Sequence, residues 1–150
     1  SNTVTVISSS PPGVPNGISG NAMTASKVDN LGNTINISWD NGCSGQNYSI
    51  IVGGGSGLPL SYNGVYQVDI VNSVCAIGNS GSFSWNNTIN PQIDPKGFYW
   101  WILVATDSSQ NTEGSWGKNN GNIERTGPST NGSSGICGIT NKDLSNSCGQ

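Results

Sequence analysis

Few side chains in this 150-residue chain could do chemistry. There is no His, so neither a Ser–His–Asp triad nor an imidazole base can be assembled. Paired carboxylates could serve a glycosidase, and the acids in question are Asp94, Asp107, Glu113 and Glu124. Each stands beside turn residues, where a carboxylate is ordinarily solvated or caps backbone N–H groups. Calcium is the better acidic alternative, because Asp107, Asn111 and Glu113 place oxygen ligands close together. The regular acidic spacing of a calcium motif is missing, so a plain polar turn is expected there. The run Gly53-Gly54-Gly55-Ser56-Gly57 lacks the following helix and Lys that a phosphate cradle needs. It reads as a flexible loop. The sequence thus predicts a non-catalytic protein without cofactor or metal.

The four Cys lie at 43, 75, 137 and 148. Without CxxC spacing or His they do not suggest zinc. An even, widely spaced set reads as two disulfides made in an oxidising compartment, hence an extracellular or cell-surface protein. Three pairings are possible; nearness in sequence favours Cys43 with Cys75 and Cys137 with Cys148. N-glycosylation acceptor triplets begin at Asn36, Asn47, Asn86 and Asn131. In a chain so rich in Asn and Ser they carry little weight.

Charged residues make up only 9% of the chain and the net charge is −3. Five scattered Lys and Arg are a poor footprint for nucleic acid. No apolar run is long enough to span a bilayer as a helix. The opening SNTVTVISSS shows no signal-peptide pattern and fits a processed start or an arbitrary boundary.

The elements that must position these residues are strands. The densest apolar run is FYWWILVATD, Phe98 to Asp107. Its aromatic and β-branched content and flanking turn residues mark a strand. Alternation puts Tyr99, Trp101, Leu103 and Ala105 on one face and Trp100, Ile102 and Val104 on the other. Both faces are apolar, whereas a two-layer sandwich requires only one. The second face therefore needs a cover from this chain or from a partner. Other expected strands are Ala22–Val28, Thr34–Asp40 with Ile35, Ile37 and Trp39 inward, and Tyr48–Val52 with Tyr48, Ile50 and Val52 inward. Val65–Val71 and Ser82–Trp85 follow, the latter with Phe83 and Trp85 inward; Leu60–Tyr62 is a short candidate, and a last strand is placed at Ser115–Gly117. Thr3–Ile7 is a β-branched arm before the Pro-rich hinge Pro11–Gly17.

From Gly17 to Trp116 the order of these strands resembles a fibronectin type III domain. NAMTASKVDNLGNTINISWD looks like that family's first two strands, with Trp39 as its core Trp. NYSIIVG is similar to the third strand. GSFSW and YWWILVATDSSQNTEGSW are similar to the fifth and sixth strands and the turn into the seventh. The resemblance implies an all-β, immunoglobulin-like antiparallel β-sandwich and gives Tyr99 the place of the corner tyrosine. It is nearly silent on function. It covers the sandwich at 17–117; the arm and Pro-rich hinge at 1–16 and the disulfide-tied tail at 118–150, expected to lie back over the sheet, have no place in that family. The tail, with EGSWG, Ile123-Glu124-Arg125 and a Cys pair, also resembles C-terminal regions of secreted bacterial proteins.

Two functions fit. One is a subunit of a cell-surface or pilus-like filament, assembled through Val4, Val6 and Ile7 of the arm and the Trp100, Ile102 and Val104 face, since an arm can add a strand to a neighbour. The other is a monomeric glycan- or protein-binding module of a larger secreted protein. Aromatic rings stack on sugars, and Trp100, Trp116, Tyr62 and Tyr66 are the aromatics not assigned to the core.

Overall fold

A computed structural model describes residues 23–40, 46–57, 70–118 and 121–145. The arm with Val4, Val6 and Ile7, and Cys43, Tyr62, Tyr66 and Cys148, lie outside these residues.

The chain is all-β and builds two sheets. Strands β1 (Thr24–Lys27), β2 (Thr34–Ser38) and β5 (Ser82–Asn86) form a three-stranded antiparallel sheet in the order β1-β2-β5. Strands β3 (Asn47–Gly54), β4 (Ile70–Val74), β6 (Tyr99–Thr106), β7 (Thr112–Glu113) and β8 (Asn141–Lys142) form the second, in the order β4-β3-β6-β7-β8. The long β3–β6 ladder is its spine, antiparallel from Asn47↔Thr106 to Gly54↔Tyr99.

Alternation decides which side chains meet between the sheets. Ile37, Trp39, Tyr48, Ile50, Val52, Trp85, Leu103 and Ala105 form the main core, with Ile35, Phe83, Tyr99 and Trp101 packed against it. These are the residues that a period of two sends inward. Trp39 meets Tyr48 at 5.2 Å, and Trp85 meets Trp101 edge-on at 6.3 Å. The outer face of the three-stranded sheet is polar, with Thr34 bonded to Asn86 and Ser84 to Asn36 across the strands.

The opposite face of β6 forms a second core. Ile51, Val104 and Trp116 are buried there, with Ile70, Trp100, Ile102 and Ile136 against them. The cover is therefore intramolecular, and one of its residues, Ile136, comes from the tail. The tail also adds β8 to the sheet, parallel to β7. Disulfide Cys75–Cys137, with a sequence separation of 62, ties the end of β4 to the tail. This corrects the pairings of Cys75 with Cys43 and of Cys137 with Cys148. The tail crosses the sheet toward β4, so partners distant in sequence become neighbours in space.

Three strand boundaries also differ. The fourth strand, described over Ile70–Val74, continues past the Val71 end expected for Val65–Val71, and 65–69 lie outside the described residues. The strand following β6 is Thr112–Glu113, not Ser115–Gly117, because Ser115 Oγ and Trp116 N donate to the Glu124 carboxylate instead. Gly53 and Gly54 belong to β3, and Gly55–Gly57 form a 3-10 turn rather than a loose loop.

Candidate functional site

Two places gather polar or aromatic groups. The first is a cavity of about 520 Å³ at one end of the main core. Trp85, Tyr99 and Trp101 supply its aromatic wall, Ile35, Val52 and Ile89 its aliphatic one, and Lys27, Asn33, Thr88 and Asn90 lie around it. Local sequence fixes this surround. Asp29 accepts from the N–H groups of Leu31, Asn33 and Thr34, closing the β1–β2 turn. Desolvation raises the Asp29 pKa, but these backbone bonds together outweigh it and hold the carboxyl below its usual range. Asn90 caps the short turn Pro91–Ile93 by accepting from Gln92 N. Thr88 joins the two segments, its hydroxyl donating to Gly32 O and its N–H to Asn33 O.

The second is a buried ionic cluster formed by Glu113 and the tail residues Glu124 and Lys142. Glu113 is fully buried. Lys142 and Glu124 are 4% and 12% exposed and lie 3.3 Å apart, Nζ to Oε1. Lys142 also donates to Arg125 O at 2.6 Å and sits 4.5 Å over the Trp116 ring, a cation–π contact. Ser134 N donates to Glu113 Oε1 at 2.9 Å. Burial pushes the Glu113 carboxyl above its ordinary value, partly offset by Ser134, Lys142 and the nearby Trp116. Burial also lowers the Lys142 pKa, against the attraction of Glu124 and then Glu113. Trp116 Nε1 and Glu113 Oε2 lack hydrogen-bond partners among the described residues, so their proximity stops short of hydrogen-bond geometry. Burial, which Lys142 and Ser134 offset only in part, is why Glu113 favours its proton.

Of the four acids read from the sequence, Glu113 and Glu124 are thus brought to one cluster through Lys142, and neither is a solvated turn residue. Asp94 accepts from Lys96 N and Ser56 Oγ. Asp107 caps its own turn through Ser109, Asn111 and Thr112. Glu113 is buried in the cluster, while Asp107 closes its own turn by accepting from Asn111 N and Thr112 N. No group of three or more His, Cys, Asp and Glu among the described residues is arranged to hold a metal.

Of the aromatics proposed for sugar stacking, Tyr62 and Tyr66 lie outside the described residues, and Trp116 is not exposed. Trp116 is 4% exposed and belongs to the second core. Trp100 is half-buried, with Nε1 donating to Gly54 O at 3.0 Å. Trp85 and Trp101 line the cavity instead, although sequence reasoning assigned them to packing alone. They do both, because the core is open at this end. Lys142 was missed because a two-residue strand in a Gly/Asn/Ser-rich tail has no periodicity.

No protein-family model, curated protein or solved structure matches the chain. The Cys75–Cys137 disulfide is compatible with an extracellular location. Among the described residues no helix is long and apolar enough to cross a membrane.

Proposed function

We propose that the chain is a non-catalytic, monomeric binding module of a larger extracellular protein. The observation that carries this reading is the covered second face of β6. Trp100, Ile102 and Val104 pack against Trp116, Ile70 and Ile136 of the same chain, so they need no neighbour. The strand arrangement supports the fibronectin type III resemblance. First, second and fifth strands share one sheet, and third, sixth and seventh lie in the other. Glu113 and Trp116 of EGSWG and Glu124 of Ile123-Glu124-Arg125 contribute to the tail cluster. Light scattering across a wide concentration range tests the reading. A constant monomer mass is expected, with and without residues 1–16; reversible growth in mass overturns it.

A second reading is the filament subunit. It is favoured by the three-stranded sheet, whose outer strands β1 and β5 pair on one side only among the described residues. Such edges accept an added strand. This reading expects fibres in electron micrographs of the full chain, lost on deleting residues 1–10.

A further inference from the structure

We infer that the cavity between Trp85, Tyr99 and Trp101 is a binding site for an uncharged saccharide of one or two rings. The inference rests on the binding-module reading and names the ligand class. Its volume, about 520 Å³, lies within the roughly 300–1,000 Å³ usual for small-ligand sites. The wall is chemically mixed in the manner a sugar ring is. Sugar C–H faces are apolar and complement aromatic rings, and their hydroxyls need donors and acceptors. Trp85, Tyr99 and Trp101 offer the rings. Asn33 and Asn90 offer amides; Asn90 spends its oxygen on Gln92 N and retains its NH2 as a donor.

Charge separates this class from others. Lys27 is the one charged residue lining the cavity among the described residues, and its stem lies against Gly32, 3.7 Å from where a Cβ would stand. One exposed ammonium is a weak basis for selecting a polyanion, and no described lining residue is a carboxylate that could select a cation. A purely apolar ligand would make no use of the two amides, which are exposed beside the aromatic wall. The bonds from Leu31 N to Asp29 Oδ1 and from the Thr88 hydroxyl to Gly32 O hold the surround in place before binding, which reduces the ordering cost.

The test is NMR of the full chain with labelled Trp indoles. Cellotetraose, chitotetraose, xylotetraose and maltotetraose are titrated, and the corresponding insoluble polysaccharides are used in pull-down. At least one sugar is expected to shift the Trp85 and Trp101 indole signals saturably and leave Trp116 unmoved. Retention by the polysaccharide as well assigns the site to polymer chains; shifts without retention assign it to free oligosaccharides. Ile89→Trp fills the cavity and should abolish the shifts. Asn33→Ala, at an exposed side chain, should weaken binding several-fold while the Trp116 signal reports an intact fold. Silent indoles with all four sugars overturn the proposal, as do shifts that survive Ile89→Trp. A monomer with silent indoles loses this site but keeps the module reading; a fibre with shifted indoles does the reverse.

Discussion

Gly53 and Trp100 show how one residue position constrains a whole face. A Cβ on Gly53 would stand 1.9 Å from Trp100 Cζ2 and 2.0 Å from Cε2. The indole is not free to slide, because its Nε1 donates to Gly54 O. The glycine is thus a close-approach position in a strand rather than a source of flexibility. Gly53→Ala is expected to destabilise the fold by at least about 1–3 kcal/mol, the usual cost of overpacking. Urea denaturation measures it. In a Trp100→Leu background the same substitution should cost much less, since the obstructing ring is gone. Equal costs in the two backgrounds would refute the contact. The Gly-rich string was visible in the sequence, but its purpose was not, because the ring that needs the space is 47 residues further on.

At the scale of elements, β7 and β8 are two residues each, too short to hold themselves. Asp143 N donates to Glu113 O, and Thr140 N and Asn141 N to Asn111 O, but the tail that brings β8 there is fixed by Cys75–Cys137 as well. Cys75→Ser with Cys137→Ser is expected to cost about 2–4 kcal/mol. Hydrogen exchange should show where. Amides of Ile136, Ile139 and Thr140 lose protection first, while Ile50 and Leu103 in the β3–β6 ladder stay protected. Simultaneous loss at both places would mean that the tail is no separate unit of stability. This division also marks how far the sequence was readable. Thr34–Ser38 alternates strongly, so its inward face follows from period two, as do Tyr48, Ile50 and Val52; in Tyr99–Thr106 period two sorts the side chains into two faces, both apolar and both packed. The tail is organised by a disulfide and by single buried charges, neither of which leaves a periodic trace. The cavity was half legible: its Trp residues were recognisable as core, but an open core end depends on where the β1–β2 turn and Thr88–Pro91 come to rest.

Over the whole molecule, charge is scarce: five Lys and Arg against eight Asp and Glu. Placing Glu113 together with the tail residues Glu124 and Lys142 therefore makes one cluster count in the pH dependence of the entire fold. An unperturbed Glu titrates near 4.5, and the folded Glu113 holds its proton to higher pH because it is buried. The folded chain binds more protons than the unfolded chain between those two values. Its contribution to stability is complete below about pH 4.5 and is lost as pH rises through the raised folded value, at about 1.4 kcal/mol per pH unit. Lys142 acts at the other end. Its lowered folded pKa means that stability climbs as pH approaches the ordinary 10.5. Asp29 opposes Glu113, since its depressed pKa adds stability above about 3.8 that is lost in acid, so the parent protein alone cannot isolate the effect. The difference between Glu113→Gln and the parent can. Gln retains an oxygen to accept from Ser134 N and cannot ionise. The variant's advantage over the parent should therefore grow between pH 4.5 and neutrality, measured by urea denaturation at each pH. Lys142→Met should instead cost about 3–5 kcal/mol at neutral pH, because it leaves buried carboxylates without their cation. A Glu113→Gln difference that is constant with pH would mean that Glu113 ionises normally despite its burial, and the cluster would then be an ion-pair network with no excess proton.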